Sequence, residues 1–565
     1  MIRIHKIKIV NENITVSKFL ELSALDNKEY LHPHICAVVK KNKLVGSLSY
    51  GDIKRRYSNI KKNLPINRVM NKNPFYAYYS PNNKIFVSNL IDIFKKKNLE
   101  TIYVVDRKKK VLGIVEANIT KDFSSIYFCN TSVIGMGLVG LTLGIHLARH
   151  NIKVVGYDNN NKLINELRKN NPPIYEVGLN QGLKLANNKK LISFENIKNL
   201  DSNNKIFIIC VATPVINKVI KIDSIKKALK QISKVLSSGS LVILRSTIPV
   251  GYSNKVFIPY LEKLSKKKCG SEWHYIFAPE RTAEGNALNE LNTLPQIIAG
   301  FSPECLKLGK TYFNHFSSQL VELQKLEMAE YSKLICNAYR DLTFSFANDV
   351  ALLSEKYDIN ANKLILMSNK GYPRGGIPIP SPGVGGSCLT KDPFIYSLSN
   401  IDDNFHKSEL GFLSRRINNK AGKVPEKILK NFEKSFLDKN KNISVLILGL
   451  SFKGDYSNKD YRDSNAKKLA DLCVGKKYST FVYDPAFSKK EINFLGYKYF
   501  DISKLVSKKI NFIFIMNNNM EFKKINLGNW LKSKKLKVLF DGWCILPELE
   551  YEEEYYHYTT MGKLR

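Results

Sequence analysis

Short apolar runs closed by glycine or polar turns alternate along the chain with stretches whose apolar residues fall three and four apart, the signature of alternating strands and helices. In IYFCNTSVIGMGLVGLTLGIHLARHNIKVVGYD an apolar strand ends at Gly135-Met-Gly137-Leu-Val-Gly140. A helical stretch follows to about His150, and a second strand, Lys153 to Tyr157, ends at Asp158. Further strands at Ile206 to Val211 and Leu241 to Leu244 are separated by helical segments, as in a doubly wound sheet. Past residue 322 the pattern changes: LEMAEYSKLICNAYRDLTFSFANDVALLSEKYD has no Gly or Pro and predicts one long helix. KNISVLILGLSFKGD and STFVYDP then restart the strand-turn-helix-strand pattern.

The N-terminal region carries an internal repeat. ICAVVKKNKLVGSLSYGDIKRR, from Ile35, and IYVVDRKKKVLGIVEANI, from Ile102, each predict a strand, a polar turn, a second strand containing Gly, and a helix start. The pair resembles tandem CBS motifs, and the resemblance implies a regulatory module for an adenine nucleotide or a packing and assembly element. Ser49 and Asp52, three and six residues after Gly46, fall where such modules hold a ribose; after Gly113 the same places hold Glu116 and Ile119. The expected fold is α/β, with two Rossmann-like doubly wound domains joined by a helical domain with a long central helix, plus an N-terminal α+β CBS pair. The expected boundaries are 1–122 for the CBS-like pair, 126–320 for an NAD-binding domain, 321–438 for a helical central domain, and 439–565 for a C-terminal nucleotide-sugar-binding domain.

The first βαβ unit is a dinucleotide fingerprint in its required context. Gly135 permits the tight turn, Gly137 lets a pyrophosphate approach the backbone, and Gly140 lets helix and strand pack closely. Asp158 lies 23 positions after the first glycine. It would accept from ribose hydroxyls and repel a 2′-phosphate, so NAD is favoured over NADP.

Composition adds limits. Hydrophobic residues make up 44% and charged residues 24%, the range of a globular protein. The net charge of +38 is spread in short clusters without a zinc-finger or RNP-type motif, so no nucleic-acid partner is expected, and a small anionic ligand is. The nine cysteines include no CxxC pair, which argues for a reducing compartment and against a disulfide framework or metal site. With no apolar leader at MIRIHKIKIVNEN and no uninterrupted run of 18 apolar residues, a cytoplasmic location without membrane insertion is expected.

One cysteine has an unusual setting: in SPGVGGSCLTKDP, Cys388 directly follows a glycine-rich turn and precedes Lys391 and Asp392. Lys391 and the turn's N–H groups would favour a thiolate. Two nucleotide-binding folds suggest a two-ligand enzyme, and a thiolate there can trap an aldehyde as a thiohemiacetal, to be oxidised to a thioester and hydrolysed to a carboxylate.

GMGLVG, PPIYEVGL, VATP, STIPVG, APERTAEGNAL, AEYSKLICNAYRD, PGVGGSCLTKDP, LGLSFKGD with YRDS, and VYDP occur in one order over residues 130 to 565. In these motifs the chain resembles the nucleotide-sugar (UDP-glucose/GDP-mannose) 6-dehydrogenases, which oxidise a sugar C6 alcohol to a carboxylate with two NAD. The resemblance implies Cys388 as nucleophile, and Lys333 and Asn337, four apart on the long helix, as oxyanion and water ligands. It implies Asp392 as their partner, Glu280 as general acid/base and Thr247 as a water-positioning group. Thr213 in VATP, Glu284 and Arg462 match cofactor-binding positions, with Arg462 as a donor to phosphate. Lys453, Arg374 and Lys391 match substrate contacts.

APERTAEGNALNEL, with Arg281 beside Glu280, looks more like the UDP-N-acetylglucosamine or N-acetylgalactosamine members than the UDP-glucose members, so a UDP-N-acetylhexosamine serving surface polysaccharide synthesis is expected. Asn348-Asp349 departs from the family's frequent Asn-Glu. The family also implies a homodimer, or a higher homo-oligomer, built on the long helix. Alternatives are a UDP-glucose dehydrogenase, a nucleotide sensor with a relic dehydrogenase, and a one-step 3-hydroxy-acid dehydrogenase; NADH yield separates the last two from a two-step enzyme.

Overall fold

The computed structural model describes residues 4–25, 35–49, 52–53, 64–80, 90, 101–116, 130–399, 408–437, 443–455, 459–505, 509–525, 527, 530, 537–547, 549 and 557–563. Ile119 and the segment around Asp122 lie outside them.

The N-terminal repeat folds as two three-stranded sheets of one plan. Lys8–Asn11 runs parallel to Ile35–Lys40, which pairs antiparallel with Lys43–Ser49. Tyr76–Tyr78 runs parallel to Thr101–Val105, which pairs antiparallel with Val111–Glu116. The ladder slips at equivalent places, Val38/Val39 and Val104/Val105. The halves exchange segments: His5 bridges Ile114, and Asn71 bridges Ser47. This exchange explains a glycine in each second strand. A Cβ on Gly46 would meet Met70 Sδ at 2.5 Å and Asn71 O at 2.9 Å, and one on Gly113 would overlap His5 O. Ala37, Val39, Tyr103, Val105 and Ile114 then close one core from both halves.

Eight strands form the next sheet, in the order Leu320–Leu323, Gln296–Gly300, Trp273–Phe277, Ser240–Leu244, Ile206–Ile209, Thr131–Ile134, Val154–Asp158 and Ile192–Asn196. Six run parallel; the pairing of Trp273–Phe277 with Gln296–Gly300 is antiparallel, which reverses the last two. The central strands are buried throughout, which is why they read as unbroken apolar runs. Helix Leu138–Arg149 packs on one face and Asp223–Val235 on the other.

The long helix spans Leu326–Ser354 and packs against Asp392–Ser397 and Leu410–Ala421. A final all-parallel sheet of six strands has the order Lys498–Tyr499, Ser479–Tyr483, Ser444–Leu448, Phe512–Ile515, Val538–Asp541 and His557–Thr560. Among the described residues no helix is long and apolar enough to cross a membrane.

Candidate active site

Two turns of one design follow strands Thr131–Ile134 and Ser444–Leu448. In the first, Gly135 sits at φ +94° and its N–H donates to Tyr157 O (2.7 Å), while Asp158 accepts from Met136 N (2.9 Å) and Asn160 N (2.9 Å). In the second, Gly449 sits at φ +89° and donates to Tyr483 O (2.9 Å), while Asp484 accepts from Leu450 N (2.7 Å) and Ala486 N (3.0 Å). Such turns end strands at the crevice where open α/β sheets bind nucleotides. The two acids differ in what they have left to offer. Asp484 is 1% exposed and also accepts from Ser451 N and Oγ, whereas Asp158 is half-buried.

The first turn fits a dinucleotide. A Cβ on Gly140 would overlap Gly135 O, so only glycine lets helix Leu138–Arg149 start against the strand end. At Gly137 an added Cβ would meet nothing within 4 Å, which leaves that backbone open to a ligand. Thr213 is buried and donates to Thr247 O (2.7 Å), tying VATP to STIPVG.

Cys388 is exposed at the end of its glycine turn. Gly383 and Gly386 take φ +77° and +89°, and a Cβ on Gly386 would press on the Phe452 ring at 2.9 Å. The turn therefore lies flat against the C-terminal domain. Cys388 O accepts from Asp392 N (2.9 Å), which opens helix Asp392–Ser397. Asp392 is fully buried, and its carboxylate binds Lys391 Nζ (2.5 Å) and Asn337 Nδ2 (2.6 Å). Burial pushes its pKa up, but Lys391 and Lys333 outweigh this and hold it below the ordinary value. Lys391, which the sequence matched to a substrate contact, is thus paired with Asp392. Lys333 acts on Asp392 and on Glu280 through its charge, and its ammonium makes no hydrogen bond or ion pair among the described residues.

Glu280 is 5% exposed. Its Oε2 binds Arg245 (2.5 Å) and its Oε1 accepts from Arg281 N (2.8 Å) and Thr282 N (2.9 Å). Burial would raise this carboxyl, but the Arg245 charge, aided by Thr282 and Lys333, holds it at about 2. Glu284 meets the C-terminal domain directly: it binds Arg462 (2.5 Å) and accepts from Ser387 Oγ (3.3 Å), beside Cys388. Arg462 also binds Asp460 (2.8 Å), so its donors engage carboxylates in this state. Burial, together with Asp460, pushes Glu284 up against the pull of Arg462.

Other residues singled out in the sequence make local contacts. Lys453 is half-exposed and pairs with Asp455 (3.5 Å), and Arg374 stacks on Tyr372 in an exposed loop (4.7 Å to the ring centre). Ser49 and Asp52 bond each other: Ser49 N and Oγ donate to Asp52 Oδ2 (2.8 and 2.7 Å), and Asp52 N donates to Ser49 Oγ (3.1 Å), the geometry of a helix capping box.

Several residues that support the site were not singled out in the sequence. Arg245 is one. Asp341 on the long helix binds Arg415 (2.6 Å), Ser414 (2.7 Å) and Asn418 (2.8 Å), and Arg415 donates to Val384 O (3.2 Å) and Leu389 O (3.4 Å), on either side of Cys388. Asn348, in the Asn348-Asp349 pair noted above, accepts from Ser381 N (2.8 Å) at the start of the same loop. Glu330, one turn before Lys333, accepts from Gly251 N (2.5 Å) and Ser253 N (3.0 Å) and so fixes the end of STIPVG to the long helix.

A dinucleotide turn, a second nucleotide-type turn and an exposed thiol between them define a two-ligand dehydrogenase. The UDP-glucose/GDP-mannose dehydrogenase family matches in three parts: its NAD binding domain over residues 129–317, its central domain over 327–420 and its UDP binding domain over 446–548. The UDP-N-acetyl-D-mannosamine dehydrogenase of Pyrococcus horikoshii is 30% identical over 419 residues, covering 74% of this chain and 96% of the relative. The solved structure of the Pyrococcus horikoshii UDP-D-ManNAc dehydrogenase superposes with TM-score 0.64 at 27% identity, covering 77% of this chain and 99% of its own. The Staphylococcus aureus UDP-N-acetyl-mannosamine dehydrogenase Cap5O gives 0.63 at 26%, covering 77% and 98%. This chain belongs to the UDP-glucose/GDP-mannose dehydrogenase family, and is an NAD-dependent nucleotide-sugar dehydrogenase.

Proposed function

We propose that the protein oxidises a UDP-N-acetylhexosamine at C6 to the uronic acid, in four electrons, for surface polysaccharide synthesis. Among the hexosamines N-acetylmannosamine comes first, because the relatives above carry it in their names, ahead of the glucosamine and galactosamine that the APERTAEG string suggested. The observation that carries the chemistry is the exposed Cys388 thiol on a turn fixed beside Asp392, Asn337 and Lys333.

NAD, when bound, accepts the hydrides, two per sugar. Cys388 as thiolate forms a C–S bond to the C6 aldehyde, and the oxyanion so made faces Lys333 and Asn337. Loss of the second hydride from this thiohemiacetal oxyanion breaks the C6–H bond and gives the thioester, which takes a water held by Thr247 and Asp392, and loss of the thiolate leaves the carboxylate. Glu280, ionised at rest, accepts the proton. Gly135, Gly137, Gly140, Asp158 and Thr213 hold the cofactor, with Glu284 and Arg462 closing over it; Lys453 and Arg374 serve the substrate. A panel of UDP-sugars assayed for NADH tests the reading: two NADH per UDP-N-acetylmannosamine supports it, and one NADH, or turnover of UDP-glucose alone, refutes it.

The second copy of a homodimer covers the exposed face of the long helix, where Met328, Tyr331, Ile335, Tyr339, Phe346 and Leu353 form an apolar stripe at helical spacing. The N-terminal pair is read as a CBS-like module for an adenine nucleotide, supported by its duplicated plan. Calorimetry and NADH assays with adenine nucleotides test this, and the absence of both binding and rate change would leave it an assembly element.

A further inference from the structure

Arg245 opens the loop after strand Ser240–Leu244 with its side chain 1% exposed. Its guanidinium donates to Glu280 Oε2 (2.5 Å), in the loop after strand Trp273–Phe277, and to Gln296 Oε1 (3.0 Å), at the start of strand Gln296–Gly300, so two segments fix the direction of the fork. Glu280 Oε1 is committed to two backbone N–H groups of its own loop. The carboxylate thus has one oxygen held by backbone and one held by a buried cation, a geometry that leaves it little freedom to turn.

The other groups facing Glu280 do not duplicate this hold. From the end of strand Ile206–Ile209 comes Cys210, which burial pushes up to about 12 and so keeps as a neutral thiol. From helix Leu138–Arg149 comes His146, which burial pushes down to about 4 and so keeps neutral. Arg281 turns its side chain to Pro295 O, and Glu290 accepts from Ala283 N (2.6 Å). The long helix contributes Lys333, whose charge reaches Glu280 without a hydrogen bond between them. Among the described residues Arg245 is the cation bonded to the carboxylate.

We propose that Arg245 is a positioning residue that keeps Glu280 ionised and aimed throughout turnover, so that Glu280 enters each step as a proton acceptor and never as a donor. The inference rests on the reading of Glu280 as the base of the oxidation. A proton leaving the substrate hydroxyl or the hydrolytic water forms an O–H bond on the Glu280 carboxylate and is then lost to solvent. The next cycle begins from the anion. Without Arg245 the buried carboxyl keeps its proton to higher pH, by about 1–3 units for loss of an adjacent arginine.

The test is the pH dependence of kcat in Arg245→Gln, Arg245→Lys and Glu280→Gln. Arg245→Gln should move the acid limb upward by about 1–3 pH units, with activity recovering on the alkaline side. Arg245→Lys should lower kcat while its limb stays near that of the wild type, because charge is kept and the fork is lost. A wild-type limb in Arg245→Gln overturns the proposal. So does a limb displaced equally in both variants, since the charge would then not be the cause. Full activity in Glu280→Gln would instead sink the base reading. In that case the hold is read from stability: a pH-dependent Tm in Arg245→Gln that vanishes in Arg245→Gln/Glu280→Gln sustains it, and an unchanged pH dependence overturns it. Should Arg245→Gln fail to fold, Arg245→Met/Glu280→Gln must fold, because removing both charges leaves no unpaired carboxylate. Failure of that double variant as well would overturn the pairing.

Discussion

Replacing Asp341 by Ala should disable the enzyme from a position with no route to substrate. Its fully buried carboxylate accepts from Arg415, Ser414 and Asn418, and Arg415 donates onward to Val384 O and Leu389 O. Breaking a buried pair by removing one partner costs about 3–5 kcal/mol, because the remaining charge is stranded. At roughly 2–4 °C per kcal/mol for a domain of this size, the transition that includes the central helices should fall by about 6–20 °C. Activity should suffer beyond stability. The two carbonyls bracket Cys388, and a shift of about 1 Å in a reacting group is worth roughly 100-fold in rate. The assay combines differential scanning fluorimetry, NADH release below the lowered transition, and peptide-level measurement of Cys388 alkylation by iodoacetamide. Arg415→Lys is the companion variant: it keeps a charge beside Asp341 but cannot reach both carbonyls, so it should lose rate with a smaller change in Tm. If Asp341→Ala keeps its Tm within a degree and its kcat within twofold, the loop is held by something else and the reasoning fails.

Cys388→Ser should abolish acid formation while NAD binding by fluorescence is retained, since a hydroxyl has far too high a pKa to replace the thiolate; undiminished acid production would exclude a thioester. Asp158→Ala should weaken NAD and relax discrimination against NADP, and because Asp158 also holds Met136 N it should cost stability too. Equal use of NADP by the wild type would refute that role. Glu330 is 1% exposed and raised by burial from 4.5 to about 6, so its protonated form suits the fold better. Its effect on stability is complete below about pH 4.5 and is lost as pH rises to about 6, a fall of roughly 2 kcal/mol. Tm measured against pH should show that slope in the wild type and not in Glu330→Gln.

What could be read in the sequence was local. The glycine fingerprint, the long helix and the Cys388 turn are carried by neighbours in the chain, because backbone geometry is decided over a few residues. The partners of buried charges are not local. Nothing near Arg245 announces Glu280, and nothing near Asp341 announces Arg415; each pairing exists only once the sheet and helices are assembled. Ser49 and Asp52 show the opposite difficulty. Ser-x-x-Asp is itself a helix-start pattern, so a spacing that suggested a ribose site also encodes the reciprocal cap the structure displays. The reversal of strands Gln296–Gly300 and Leu320–Leu323 escaped the reading because apolar content does not encode strand direction.

The exchange of segments in the N-terminal unit bears on the order in which the chain acquires structure. Asn71 reaches back to a strand made shortly before it, but His5 pairs with Ile114, across almost the whole unit. During synthesis the first half must wait with its leading segment unpaired until Val111–Glu116 has left the ribosome, since loop closure over that span precedes any gain from the contact. The His5–Ile114 bridge between the halves therefore closes only after both have been made. A chain deprived of its leading segment would be left with the crowded face at Gly113 uncovered, which makes closure of this duplicated unit depend on its two ends meeting.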